Sequence, residues 1–316
     1  MNKFAFIFPG QGAQTTGMGK DLYENSKAAK KVFDTADDAL GYSISELCFN
    51  GSSEELMKTI NSQPCILTVS LAAYEAFKEE TGIKPACCAG HSLGEYAALY
   101  AAGVIDLPSV LKLIQKRAFL MNEAAENSNG LMAAVLGLDN DSVISCVSKL
   151  KNVYVANFNS PGQVVITGDK DEIQNSIEFF KEAGAKRVIP LSVSGAFHSP
   201  LMMTAGEIFI DFVNQFNFNN SQVPVYTNVD AEKTFNGEEF KNKLPKQIYS
   251  SVLWTQTINN IVNDGITNFI EIGPGKVLAG LNKKINPELK TFNIFDYNSL
   301  NTVIEEVSDC KEKELI

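Results

Sequence analysis

A serine with glycine two positions before it and two positions after it constrains this chain more than any other feature. The motif Gly90-His91-Ser92-Leu93-Gly94 follows an apolar segment, Ala86–Ala89, and precedes a helix-forming segment, Glu95–Leu99. Small residues at these spacings let a strand and a helix approach closely around a sharp turn, which raises the serine hydroxyl above a sheet. The motif alone also occurs by chance, and a serine can simply cap a helix. Because a strand precedes it and a helix follows, we predict that Ser92 is a nucleophile near the positive end of a helix dipole.

Apolar strands and amphipathic helices alternate along the first part of the chain. Such alternation predicts a parallel sheet covered by helices. The predicted strands are Phe4–Phe8 and Pro85–Ala89, and the predicted helices are Asp21–Leu40, Glu54–Thr59, Gln63–Thr81, Tyr96–Ala102 and Leu107–Ala125. The pattern returns near the end of the chain, where we predict helices at Leu201–Phe216, 238–249, 252–264 and Lys276–Asn282 and strands at Val223–Thr227 and Asn268–Ile272.

The order of elements changes between these two parts. Residues Met132–Leu191 predict strand, helix, strand, strand, helix and strand, which is the order of a ferredoxin-like unit. The predicted fold class is therefore α/β: a parallel-sheet, hydrolase-like core domain with an inserted ferredoxin-like (βαββαβ) subdomain. We predict that residues 1–129 and 198–316 form the core and that residues 130–197 form the insertion.

Composition removes several classes of function. The 316 residues carry a formal charge of −10, which argues against nucleic acid because phosphate binding needs clustered Lys and Arg. No apolar stretch is long enough to span a membrane, and the N-terminal apolar run is too short for a signal peptide. We therefore expect a cytoplasmic protein without membrane contact. The six cysteines lack metal-ligand spacing, so we expect reduced thiols and no metal.

A serine nucleophile needs a base, and the chain has only two histidines. His91 is the neighbour of Ser92, and neighbouring side chains at such a turn point apart, so a packing or hydrogen-bonding role is expected for it. His198 remains, on a segment that leaves the predicted insertion and so borders a cleft between two domains. We predict that His198 is the base. No Asp or Glu stands out as a third member, so a backbone carbonyl or an amide is expected to orient the imidazole.

One of only two arginines, Arg117, lies in a predicted helix among apolar residues. A long side chain in such a position often covers apolar surface or forms an ion pair. The alternative is a planar guanidinium that binds a substrate carboxylate through two parallel hydrogen bonds. Composition and spacing leave both interpretations open.

Nearly the whole chain resembles the malonyl-CoA:acyl carrier protein transacylases of bacterial fatty acid synthesis, which are related to polyketide synthase acyltransferase domains. The matching segments occur in one order and at characteristic separations. They are Phe8–Gly12, Gln63-Pro64, Gly90–Tyr96, Asn157–Val165, Ala196–Ser199 and Glu271–Leu278.

The resemblance implies a malonyl-serine intermediate on Ser92 with His198 as base, formed from malonyl-CoA and passed to the acyl carrier protein thiol in a ping-pong reaction. It also implies that Arg117 binds the malonyl carboxylate and that the backbone N–H groups of Gln11 and Leu93 form the oxyanion hole.

Asn159 and Gln247 are expected near the catalytic histidine, with the Gln247 carbonyl in place of an acid. Phe197 matches malonyl-selective domains. No cofactor is required.

Two other functions stay open at this point, and the sequence also offers candidates for a docking surface. A serine hydrolase such as a thioesterase would share the serine motif, and a catalytically silent binding module would share the fold. Because carrier proteins are acidic, docking requires a local basic patch. The candidates for this patch are Lys181, Lys186, Arg187, Lys276, Lys283 and Lys284.

Overall fold

Ten strands make up two sheets in the part of the chain that this computed structural model describes, residues 3–193 and 195–312. In chain order the strands are β1 Phe4–Phe8, β2 Cys87–Gly90, β3 Gly130–Leu136, β4 Val153–Ser160, β5 Gln163–Asp169, β6 Arg187–Pro190, β7 Val225–Tyr226, β8 Lys233–Thr234, β9 Asn268–Ile272 and β10 Lys290–Ile294. The larger sheet has the order β10-β9-β1-β2-β7-β8, and the smaller has the order β4-β5-β3-β6.

The larger sheet is parallel except at one edge. β10, β9, β1, β2 and β7 run in the same direction, and only the two-residue strand β8 pairs antiparallel, with β7. β1 pairs with β2 on one side and with β9 on the other, so the carboxyl ends of these three central strands lie at the same edge. In open parallel sheets this is the edge at which ligands bind.

Helices cover both faces of the larger sheet because its strands are apolar on both sides. Phe4, Phe6 and Phe8 of β1 join one buried cluster, whereas Ala5 and Ile7 join another on the opposite face. The helices in chain order are α1 Lys20–Asn25, α2 Lys27–Leu40, α3 Ile44–Asn50, α4 Ser53–Met57, α5 Thr59–Thr81, α6 Gly94–Ala101, α7 Leu107–Glu126, α8 Asn140–Val147, α9 Lys170–Glu182, α10 Met203–Val213, α11 Gly237–Gln247, α12 Trp254–Asn263, α13 Val277–Ile285 and α14 Tyr297–Glu312. None of the described helices combines the length and the apolar character needed to cross a membrane.

The smaller sheet is antiparallel and has a hydrophobic core of its own. α8 and α9 pack on it, and Val135, Ile166 and Phe180 are among its buried residues. β4 joins it to the rest of the molecule, because the N–H of Phe158 donates to the Val252 carbonyl and the N–H of Val252 donates to the Ala156 carbonyl. The protein is thus a mixed α/β structure with a mainly parallel sheet and a separate antiparallel sheet.

The prediction of one helix over Asp21–Leu40 is wrong. The side chain of Ser26 accepts a hydrogen bond from the N–H of Ala29 and caps a new helix, so the segment is divided into α1 and α2. The helix predicted from Gln63 begins earlier, at Thr59, and includes Pro64.

Four elements are absent from the sequence-based prediction: α3, β8, β10 and α14. β10 has only two strongly apolar residues, Phe292 and Ile294, and it becomes a strand by pairing with β9.

Two glycines make the turn after β2 possible. A Cβ atom on Gly90 would lie 2.0 Å from the backbone carbonyl carbon of Gly94, and a Cβ on Gly94 would lie 2.2 Å from the carbonyl oxygen of Phe8. Between them, Ser92 has a φ of 51°, in the left-handed region that non-glycine residues seldom adopt. The close approach of β1, β2 and α6 therefore holds Ser92 in a strained conformation.

We predict that Gly94→Ala lowers the free energy of unfolding by about 3 kcal/mol, because the methyl group overlaps backbone atoms that cannot move independently. The matched control is Gly280→Ala in α13, where an added Cβ has no atom within 4 Å. That variant should gain up to about 1 kcal/mol from helix propensity. Urea denaturation measures both values, and wild-type stability in Gly94→Ala would contradict the packing argument.

Candidate active site

A cleft of about 390 Å³ opens where the edge of the larger sheet meets the smaller sheet. Its floor consists of the turns after β1 and β2, which carry Gln11 and Ser92. Its walls include Arg117 of α7, Asn159 of β4 and His198. All of the residues predicted at the site except Gln247 line this cleft, and Gln247 lies directly behind it, in contact with Ser92 and Arg117.

The backbone of the serine turn is fixed by Asn228, on the segment between β7 and β8. The N–H of Ser92 donates to Asn228 Oδ1 at 2.7 Å, and Asn228 Nδ2 donates to the Gly90 carbonyl at 2.7 Å. Asn228 is 1% exposed. Its two hydrogen bonds therefore hold the backbone of the strained turn in place, in a buried region that water does not reach.

The Ser92 hydroxyl and the His198 imidazole are in direct hydrogen-bond contact, with Oγ 2.8 Å from Nε2. On the other side of the ring, Nδ1 lies 2.9 Å from the Gln247 main-chain oxygen and 3.2 Å from that of Ser250. Carbonyl oxygens only accept hydrogen bonds, so Nδ1 carries the proton and Nε2 is free to accept from the serine hydroxyl. The arrangement is that of a nucleophile and its base, oriented by backbone carbonyls instead of a carboxylate.

The environment keeps His198 neutral. Burial and the positive charge of Arg117 lower its pKa to about 3, against hydrogen bonds to the carbonyls of Gln247 and Ser250 that raise it. The imidazole is therefore in the base form throughout the neutral and mildly acidic range. The backbone of His198 has a φ of 58°, which is uncommon for a residue with a Cβ.

Arg117 is 1% exposed, and its guanidinium points at the nucleophile. Nη2 donates to Ser92 Oγ at 3.0 Å and to Gln247 Oε1 at 2.9 Å, and Nη1 donates to Gln63 Oε1 at 2.5 Å. These three acceptors are uncharged. Among the residues that the structure describes, no ion pair includes Arg117. A buried cation at the cleft without a direct counter-ion is suited to bind an anionic group.

The second histidine belongs to the wall of the cleft. His91 Nε2 lies 2.8 Å from Asn159 Oδ1, and the centroid of the His91 ring lies 5.7 Å from that of the Trp254 ring. Burial lowers the pKa of His91. Asn159 thus contacts His91 directly, and it connects β4 of the smaller sheet to the serine turn.

Gln11 and Leu93 both line the cleft beside Ser92. Gln11 follows the carboxyl end of β1, and Leu93 precedes the first residue of α6. Because the N–H of Ser92 already donates to Asn228, the N–H of Leu93 is the next backbone donor at the start of α6.

Four residues that contact the site have no role in the sequence-based prediction: Gln63, Glu95, Asn228 and Ser250. Glu95 had a usable signal, since an acid beside Ala97, Ala98 and Leu99 in a buried helix needs a partner. Asn228 and Ser250 lie on loops far along the chain, and only the tertiary structure brings them to the serine turn. Among the described residues, no group of histidine, cysteine or acidic side chains could hold a metal ion.

Comparison with known proteins yields one family and many close relatives. A family model described as the acyl transferase domain matches residues 5–312. The malonyl CoA-acyl carrier protein transacylase of Bacillus subtilis (strain 168) is 45% identical over 313 residues, covering 98% of each chain. That of Escherichia coli (strain K12) is 40% identical, covering 96% of this chain and all of the relative.

Solved structures agree with these relatives. The malonyl CoA-acyl carrier protein transacylase of Clostridium perfringens superposes with a TM-score of 0.95 at 36% identity, covering 99% of this chain and all of that one. A complex of a type II polyketide synthase acyl carrier protein with its malonyl-transacylase gives 0.93 at 40% identity, covering 96% of this chain and all of the other.

We predict that Ser92 reacts with a fluorophosphonate probe at a rate that stays nearly constant from pH 8 down to pH 6. The reason is that the pKa of His198 lies well below the ordinary histidine value of about 6.5, so its Nε2 stays unprotonated over this pH range. Labelling followed by intact mass measures the rate, and Ser92→Ala corrects for reaction elsewhere. An acidic decline centred at or above pH 6.5 would contradict the assigned environment of His198.

Proposed function

The chain belongs to the acyl transferase domain family, and on that premise we propose that it transfers the malonyl group of malonyl-CoA to the phosphopantetheine thiol of acyl carrier protein. One observation carries the proposal. Ser92 Oγ lies 2.8 Å from an imidazole nitrogen and 3.0 Å from a buried guanidinium nitrogen, inside one cleft. The cleft thereby combines a nucleophile and its base with a guanidinium that can bind an anionic acyl group.

In the first half-reaction the Ser92 oxygen attacks the thioester carbonyl of malonyl-CoA while His198 Nε2 takes the hydroxyl proton. The tetrahedral intermediate then collapses, the carbon–sulfur bond breaks, and His198 returns the proton to the sulfur of coenzyme A. The product is a malonyl ester on Ser92. The Gln247 carbonyl stabilises the imidazolium that exists between the two proton transfers, because it accepts from Nδ1 at 2.9 Å.

The second half-reaction reverses these roles for a new thiol. His198 takes the proton of the phosphopantetheine thiol, the sulfur attacks the malonyl-serine carbonyl, and the serine oxygen leaves with the proton from the imidazolium. The mechanism is ping-pong, because one thiol must leave before the next one enters. It requires no metal or redox cofactor.

The negative charge that develops on the carbonyl oxygen is assigned to the backbone N–H groups of Gln11 and Leu93. Their position beside Ser92 supports this role, and the N-terminus of α6 adds the positive end of its dipole. Ser92 itself contributes no backbone donor, since its N–H is bonded to Asn228.

The malonyl carboxylate is assigned to Arg117. Its guanidinium bonds only uncharged acceptors among the described contacts, so a carboxylate can exchange with the serine hydroxyl as a partner of Nη2 without breaking an ion pair. An acetyl group offers no such partner and leaves the buried cation without an anion.

The finer architecture and the docking surface are also part of the proposal. The smaller-sheet order β4-β5-β3-β6 supports a ferredoxin-like subdomain at 130–197, inserted in a hydrolase-like core of 1–129 and 198–316. Of the basic candidates, Lys276, Lys283 and Lys284 lie next to or on α13, which lines the cleft. We assign the acidic carrier to this side, and we assign the protein to the cytoplasm.

The test compares malonyl-CoA consumption with and without holo acyl carrier protein. The proposal predicts that malonyl moves to the carrier and that free malonate forms much more slowly. A serine hydrolase would release malonate at the same rate without the carrier, and that result would overturn the proposal. A binding module would consume no malonyl-CoA in either case, which would also overturn it.

We predict that Arg117→Ala lowers kcat/KM for malonyl-CoA by about 100-fold, corresponding to a few kcal/mol for an unpaired buried carboxylate. The rate with acetyl-CoA should stay unchanged or rise. The matched control is Arg187→Ala, since Arg187 is the other arginine and is exposed on β6. Measuring formation of the acyl-enzyme alone keeps carrier docking out of the comparison. Equal losses for both acyl groups would mean that Arg117 only supports the structure.

A further inference from the structure

Glu95 is a buried acid that the reaction described above does not use. It is the second residue of α6 and is 1% exposed, between the serine turn and α11. A carboxyl group in such surroundings is costly unless hydrogen bonds satisfy it. Its contacts therefore indicate why the position holds an acid.

A single oxygen of Glu95 joins two residues of the active site. Oε2 accepts from Gln247 Nε2 at 2.7 Å and from the backbone N–H of Asn228 at 3.1 Å. Asn228 fixes the backbone of Ser92, and the main-chain oxygen of Gln247 fixes His198. The Glu95 side chain is thus connected to each reacting residue, Ser92 and His198, through one intervening residue.

The side-chain amide of Gln247 lies between the acid and Arg117. Its Nε2 donates to Glu95 and to the Ser92 carbonyl, and its Oε1 accepts from Arg117 Nη2 at 2.9 Å. A carboxylate accepts hydrogen bonds and a guanidinium only donates them, so the amide between them has one orientation that satisfies both. Reversing the amide would place NH₂ against the guanidinium and oxygen against the acid.

This spacing also separates two opposite charges. Arg117 and Glu95 form no direct ion pair. Burial lowers the pKa of Arg117, and Tyr96 and Glu95 oppose that fall. Burial raises the pKa of Glu95 to about 7, while Gln247, Asn228 and Arg117 oppose that rise. Asp230 also raises the pKa of Glu95. Burial and the charge of Glu95 in turn raise the pKa of Tyr96 on the same helix, against Arg117, which lowers it.

We propose that Glu95 is a positioning residue for acyl transfer. It holds Gln247 and Asn228, which keep Ser92, His198 and Arg117 in one arrangement. Its negative charge also limits the attraction that Arg117 exerts on the acyl carboxylate. The inference rests on the proposed function, because its readouts are the rates of that reaction. It assigns no contact between Glu95 and the substrate.

The first test compares a replacement of Glu95 that keeps an acceptor oxygen with one that removes it. Glu95→Gln keeps an oxygen for both hydrogen bonds, so kcat should stay within about threefold of wild type. Glu95→Ala removes both bonds and should lower kcat for malonyl transfer about 10- to 100-fold, since small displacements of reacting groups cost that much. Glu79→Ala, at an exposed position of α5, is the control for loss of a carboxylate and should retain wild-type kcat.

The second test stays informative if Glu95→Ala does not fold. Because burial raises the pKa of Glu95 to about 7, its carboxyl group ionises between pH 6 and pH 8.5 in the wild type. Its negative charge then competes with the acyl carboxylate for Arg117. The ratio of kcat/KM for malonyl-CoA to that for acetyl-CoA should fall about threefold or more over this range. In Glu95→Gln the ratio should be independent of pH. Taking the ratio cancels the titration of coenzyme A itself.

Two results would overturn the inference while leaving the proposed function in place. One is a folded Glu95→Ala variant that transfers malonyl as fast as wild type. The other is a Glu95→Gln variant whose selectivity ratio varies with pH as the wild-type ratio does. Failure of the proposed function has a different signature, because the wild-type protein itself would then transfer no malonyl group to the carrier.

Discussion

The hydroxyl of Ser92 is held between an imidazole and a guanidinium, and the rest of the site depends on keeping these three groups together. They come from distant parts of the chain: a turn at the edge of the larger sheet, the segment that follows the smaller sheet, and α7. The serine turn is strained, with φ at 51°, and the close packing of Gly90 and Gly94 fixes it there. Backbone geometry therefore sets the direction of the hydroxyl before any substrate arrives.

Desolvation gives each of these groups its chemical state. Because His198 is buried beside Arg117, it stays neutral, and the proton on Nδ1 points at main-chain carbonyls. The same burial removes water from the guanidinium, which makes a carboxylate a stronger ligand than it would be at the surface. No acid touches the imidazole among its described contacts. The buried acid Glu95 is separated from Arg117 by the side-chain amide of Gln247, so the cation can still face the cleft.

Much of this arrangement could be predicted from the sequence because local patterns carry it. The glycines around Ser92 predict the turn, two histidines leave one candidate base, and apolar runs predict most of the strands. The misses have physical causes. Ser26 caps a new helix inside one amphipathic stretch, and β10 exists only because β9 offers a partner. Asn228 and Ser250 contact the site from loops whose sequences have no periodicity, so only the assembled fold reveals them.

The proposed reaction requires that Ser92 carry the acyl group, and the position of the adduct on the chain can be measured. The protein would be mixed with malonyl-CoA without carrier protein, quenched in acid, digested, and mapped by tandem mass spectrometry. We expect one malonyl group per chain, on the Ser92 side chain, and none when His198 is replaced by alanine and the reaction is quenched early. A malonyl group on another residue, or an unmodified Ser92 in the wild-type protein, would contradict it.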